Sequence, residues 1–181
     1  MFLTLKLLPM LEEKNNSRVV TVSSGVQYFG KIQWDDLQGN LKYDRWASYS
    51  QSKLANVMFG LELNLKLKER NSQTSSLLAH PGFARTNLQS KSVEANKSWQ
   101  ERLAYKFMDP MFQSAKMGAL PQITAATLPS AKGGEQYGPR FNFRGFPKKC
   151  RNAPKALDQT SRRKLWEISE KLIHDFSYPL K

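Results

Sequence analysis

Residues that bind metals or form disulfides are scarce in this sequence. A single cysteine, Cys150, excludes an internal disulfide framework. Two histidines, His80 and His174, lie far apart and leave no cysteine and histidine cluster of the kind zinc requires, so no metal is expected. Cys150 reads as a lone surface thiol, whose pKa the neighbouring Lys148, Lys149 and Arg151 would lower if it is exposed. Long apolar runs are missing too, and nothing approaches the roughly 20 residues of a membrane span. Residues 1–11 are apolar, but Lys6 and Pro9 interrupt them, and Glu12-Glu13 follow where a secretory leader would carry small residues. That segment reads as the end of a buried helix, and the expected location is cytoplasmic. Repeats, low-complexity tracts and heptads are likewise absent.

Acidic residues are in deficit: 15 Asp and Glu face 28 Lys and Arg, for a net charge of +13. Such a balance makes nucleic acids, acidic membranes and phosphorylated cofactors electrostatically acceptable partners and selects none of them. No recognised nucleic-acid module is evident, so no specific nucleic-acid partner is expected. With 181 residues and 40% hydrophobic content, the chain suffices for one domain with a real core.

Along the chain, residues 3–13 suit a helix and residues 14–17 break it. Residues 18–23 are β-branched and almost continuously apolar, as in a parallel strand covered on both faces. A long Gly, Asp and Asn-containing loop, residues 25–45, precedes a helical pattern over residues 46–70, whose apolar stripe is Leu54, Val57, Met58, Leu61 and Leu65. Residues 74–79 read as a second strand ending at the His80-Pro81-Gly82 turn. Helices are expected over residues 93–107, 115–128 and about 156–176, with a loop over residues 132–147. Strand, helix, strand is a parallel crossover unit, whose ligands bind beyond the carboxyl ends of the strands. Ser24 and Pro81-Gly82 both fall at such ends.

Tyr49 and Lys53 lie four residues apart at the start of the long helix, which puts phenol and ammonium side by side on one face. The lysine charge then favours the tyrosinate, and the tyrosine can trade protons. Ser24, at the mouth of the first strand, offers a hydroxyl to an oxygen that changes charge.

The three motifs Val-Val-Thr-Val-Ser-Ser (19–24), Tyr-Ser-Gln-Ser-Lys-Leu-Ala-Asn (49–56) and His-Pro-Gly-Phe-Ala-Arg-Thr (80–86) together resemble the short-chain dehydrogenase/reductase family. The 49–56 run, the insert around Ile32-Gln33-Trp34-Asp35-Asp36-Leu37 and Gly118-Ala119 are most similar to its retinol-dehydrogenase branch, and similar motifs occur in protochlorophyllide reductases. The resemblance implies an α/β fold with a doubly wound, Rossmann-like parallel sheet. It also implies hydride transfer between a nicotinamide cofactor and a small-molecule carbonyl or alcohol substrate. By resemblance, Tyr49 is the acid/base, Lys53 holds the ribose hydroxyls of the cofactor, and Ser24 hydrogen-bonds the substrate oxygen, with Ser23 as the alternative. Pro81, Gly82 and Phe83 wall the nicotinamide, and Thr86 binds its carboxamide or phosphate. Asn56 reads as structural.

The glycine-rich turn that holds a dinucleotide pyrophosphate is absent, because Gly133-Gly134 and Gly138 come late and follow a helix. The family's Asn-Asn-Ala-Gly segment is missing as well. The expectation is therefore an incomplete, N-terminally truncated single domain over residues 1–181, with an exposed apolar sheet edge that a homo-oligomer or another partner covers. NADP is the expected cofactor on the basic charge, with NAD the alternative. A non-catalytic remnant, or a binding partner of an intact reductase, is the alternative function.

Overall fold

The computed structural model describes residues 1–84 and 112–176. The expected helix over residues 93–107 lies outside them, as does Thr86. Helix α1 spans Phe2–Glu12, with Pro9 inside it and Asn16 in a left-handed turn (φ 58°) beyond its end. Strand β1, Arg18–Val22, follows, and Ser24 caps a short 3-10 turn, Gly25–Tyr28. Helix α2, Arg45–Glu69, is capped by Asp44, whose carboxylate accepts the Ala47 amide at 2.8 Å. It ends where Asn71 turns left-handed (φ 55°) and the Ser72 amide reaches back to the Leu67 carbonyl. Strand β2 is Ser75–Ala79. Helix α3, Ala115–Thr127, then leads to β3, Gln136–Pro139, and β4, Pro147–Cys150. A 3-10 turn, Pro154–Leu157, and helix α4, Gln159–Phe176, close the described chain.

The sheet runs β1-β2-β3-β4. β1 and β2 pair in parallel with Arg18 opposite Ser75, β2 and β3 pair in parallel, and β4 returns antiparallel with Cys150 opposite Gln136. β3 corrects the sequence reading, which has a loop over residues 132–147, and β4 is a strand that the reading does not assign. Gln136-Tyr137-Gly138-Pro139 carries no β-branched residue, and both a glycine and a proline, so propensity hides it. Its burial against β2 makes it a strand nonetheless, and Gly138 is required because a Cβ there would collide with the His80 ring.

Helices cover both faces. Leu54, Val57 and Met58 of α2 pack with Leu78 of β2 and Leu165 of α4. Leu8, Leu63, Leu67 and Trp166 form a neighbouring cluster, with Phe59 stacked on Trp166 at 5.6 Å. Across the sheet, Leu77, Ala79 and Tyr137 meet Ala125 of α3. The second half of α2 is buried more widely than the predicted stripe: Leu63 and Leu67 are in the core while Leu61 and Leu65 are only half-buried. The helix is pressed between the sheet, α1 and α4, so more than one face is covered. A buried Glu62–Arg162 ion pair (3.3 Å) fastens α2 to α4. Among the described residues no helix is long and apolar enough to cross a membrane.

Cys150 also departs from expectation. Its thiol is half-buried, approaches the Gln136 carbonyl at 3.5 Å, and is pushed up to about 11 by burial. The adjacent cations do not decide its ionisation.

Among the described residues β1 is an edge strand. Ser75 donates to the Ser17 carbonyl and Ser23 to the Ala79 carbonyl, so odd-numbered residues address β2. Arg18, Val20 and Val22 point their backbone groups away from it. Among the described residues no strand pairs with that side of β1.

Candidate functional site

The carboxyl ends of β1, β2 and β3 lie along one rim, and the predicted site residues among the described ones gather there. Tyr49 is exposed and Lys53 half-buried, with the ammonium 5.5 Å from the centre of the Tyr49 ring. Trp46 sets its ring edge-on to Tyr49 at 6.4 Å. Two hydrogen bonds fix this face of α2 against the end of β1: Ser23 Oγ donates to the Lys53 carbonyl (2.8 Å), and Asn56 Nδ2 donates to the Val22 carbonyl (2.9 Å). Ser23 is thereby buried and occupied as an anchor, while Ser24 is half-buried and accepts only a long contact from the Val26 amide (3.5 Å). Of the two serines, Ser24 is the one with a hydroxyl free to donate.

The turn after β2 forms the neighbouring wall. Gly82 takes a left-handed φ of 66°, and a Cβ there would strike the Phe143 carbonyl, so only glycine fits. The Phe83 amide donates to that same carbonyl at 2.8 Å, and the Phe83 ring contacts Phe112 and Phe143. Gln113 stitches the wall together: its Nε2 donates to the Pro81 carbonyl (2.8 Å), and its Oε1 accepts the Gly145 amide (3.0 Å). Sequence reading passed over Gln113, because a lone glutamine far from the turn carries no local signal.

His80, directly before the turn, is fully buried, and neither ring nitrogen has a protein hydrogen-bond partner. Desolvation lowers its pKa to about 4, so the imidazole is neutral near pH 7. Just before β3, burial alone would raise the Glu135 pKa, but bonds from the Lys132 amide, Lys149 and Tyr137 outweigh it and hold the carboxylate at about 2. Among the described residues no group of three His, Cys, Asp or Glu side chains is placed to hold a metal.

A nicotinamide dinucleotide is the group the motifs imply, and the residues fit one end of it. A lysine, a phenol and a bare glycine turn lie on one rim. For the pyrophosphate the described residues offer no glycine-rich turn between strand and helix, since β1 runs into only the short Gly25–Tyr28 turn.

A mostly parallel open sheet with helices on both faces and its polar side chains at the strands' carboxyl ends defines an incomplete Rossmann-like α/β protein. No protein-family model matches the chain. Human retinol dehydrogenase 14 is 34% identical over 174 residues, covering 94% of this chain and 48% of that protein. Mouse polyprenol dehydrogenase is 38% identical over 136 residues, covering 72% of this chain and 39% of that one. The crystal structure of an uncharacterized protein from Mycobacterium paratuberculosis matches with a TM-score of 0.72 at 33% identity, covering 94% of this chain and 53% of that one. The chain belongs to the short-chain dehydrogenase/reductase family, among retinol-dehydrogenase-like proteins. It spans about half the length of the curated relatives it matches.

Proposed function

We propose that residues 1–181 are a Rossmann-like unit carrying the proton-transfer half of a nicotinamide-dependent oxidoreductase that interconverts an alcohol and a carbonyl. The observation that carries this reading is the Tyr49 and Lys53 pair on the face of α2 that Ser23 ties to the exit of β1. In carbonyl reduction Tyr49 Oη gives its proton to the nascent alkoxide, and in the reverse direction it takes the hydroxyl proton. The Lys53 ammonium stands beside the Tyr49 ring, and Ser24 Oγ donates to the substrate oxygen as its charge develops. A bound nicotinamide cofactor supplies or accepts the hydride. Lys53 would hold its ribose hydroxyls, the backbone of Pro81, Gly82 and Phe83 would wall its ring, and Thr86 would bind its carboxamide or phosphate. The +13 charge favours NADP over NAD. The names of the relatives, retinol and polyprenol dehydrogenases, support a large apolar alcohol as the substrate class.

The open edge of β1 favours a second reading, in which the chain is a non-catalytic remnant that binds an intact reductase. One experiment separates the two. Residues 1–181 are joined to the part of human retinol dehydrogenase 14 upstream of the matched region, and the chimera is assayed with retinol and NADP. Turnover is expected, and Tyr49→Phe should lower kcat about 10²- to 10⁴-fold. Turnover unaffected by Tyr49→Phe would sink the mechanism, and a folded chimera with no turnover would favour the binding reading.

A further inference from the structure

The loop between β3 and β4 carries a surface that the reaction does not use. Residues 136–157 hold six Lys and Arg and no Asp or Glu, and from Arg140 to Lys149 three phenylalanines are interspersed with four of those cations. Phe141 and Phe146 are 61% and 73% exposed. They are not loose. The Arg140 amide bonds the Phe146 carbonyl, the Phe141 amide bonds the Arg144 carbonyl, and Gly145 is held by Gln113, so a closed hairpin tip presents both rings to solvent. Arg140 lies 5.7 Å from the Phe141 ring, and exposed Lys148 follows on β4.

β3 is parallel to β1 and β2, so its carboxyl end places this tip on the same rim as Ser24 and Pro81-Gly82, and the Phe143 carbonyl directly accepts the Phe83 amide. Other exposed apolar side chains stand at this end, around the start of α2: Leu41 (83%), Tyr43 and Trp46, with Lys42 and Arg45 beside them. Rigid aromatic tips flanked by cations suit the interface of an anionic bilayer, where rings sit among headgroups and each basic residue held near the surface strengthens binding about fivefold.

We propose that the β3–β4 hairpin tip, centred on Phe141 and Phe146 with Arg140 and Lys148, docks this protein on anionic lipid surfaces and turns the catalytic rim toward the membrane. A polyanion such as DNA would use the same charges but has no need of two rings on an outward tip without a base-sized slot between strands. The binding does not depend on the proposed reaction, and it is measured without cofactor or substrate.

The full chain is sedimented with phosphatidylcholine vesicles, with and without added phosphatidylserine. Partitioning should be at least about tenfold stronger on the serine lipid and should fall with salt. Phe141→Ser combined with Phe146→Ser should weaken it by about tenfold while leaving the thermal midpoint in place. If that pair disturbs folding, Arg140→Gln with Lys148→Gln, both on exposed side chains, should give the same loss. Equal binding to the two vesicle types, undiminished binding by a folded double variant, or tighter binding to a DNA duplex than to the serine-lipid vesicles would each overturn the proposal.

Discussion

β1 and β2 are parallel neighbours of equal length joined through one helix, and their sequences rank them in the opposite order to their burial. Arg18-Val19-Val20-Thr21-Val22 is the stronger strand former, yet its residues are half-buried and Val22 is 41% exposed. Ser75-Ser76-Leu77-Leu78-Ala79 is the weaker one, and four of its five residues are inaccessible. The difference lies in the neighbours. β2 is flanked by strands on both sides and by α2 and α3 on its faces, whereas among the described residues β1 has one strand beside it. Its β-branched composition suits a position with strands on both sides, so in this chain the local propensity exceeds what the described tertiary structure uses.

The largest test of that contrast is truncation. Leu78→Ala, in the core between α2 and the sheet, should cost about 4 kcal/mol, whereas Val22→Ala should cost less than about 1 kcal/mol. Urea midpoints of the two variants measure both, and comparable losses would show that β1 is buried as deeply as β2.

A somewhat smaller effect separates the strand ends by pH. His80 follows β2 and has a folded pKa of about 4 against 6.5 for the free side chain. Because the unfolded chain binds the extra proton, stability is complete above about pH 6.5 and falls as the pH drops towards 4, by on the order of 3 kcal/mol. Glu135 is distinct: its depressed pKa of about 2 contributes stability above about pH 4.5 that is lost only as the pH falls through 2. In His80→Leu the slope between pH 6.5 and 4 should shrink relative to the native chain. An unchanged slope would mean that the imidazole titrates freely in the folded state.

The same contrast explains what could be read beforehand. β1, α2 and β2 were legible because their signals are local: a β-branched run, a helical apolar spacing and a Pro-Gly stop. Tyr49, Lys53, Ser24 and Pro81-Gly82 were singled out by short motifs within those elements, and the structure sets them on one rim. β3 was not legible, since Gln136-Tyr137-Gly138-Pro139 becomes a strand only through burial against β2, and Gly138 is explained only by the His80 ring across from it. Gln113 was invisible because its two bonds join segments about thirty residues away on either side. Cys150 misled for the opposite reason: its sequence neighbours are cations, but its spatial surroundings are β3 and the interior.

Hydrogen exchange gives the finest form of the comparison. The amides of Val19 and Thr21 address β2, by the alternation that Ser23 continues with its 2.8 Å bond to Ala79, while those of Val20 and Val22 point to the open side. Exchange along β1 should therefore alternate, slow at Val19 and Thr21 and faster by roughly tenfold or more at Val20 and Val22, whereas alternate β2 amides should address β1 on one side and β3 on the other. Uniform protection along β1 in the isolated chain would show that something already pairs with its outer edge. In the chimera with the upstream part of retinol dehydrogenase 14, Val20 should become protected while Thr21 barely changes. Exchange at Val20 that stays fast in an active chimera would mean that the added half docks elsewhere and that the unused strand propensity of β1 answers to no neighbouring strand.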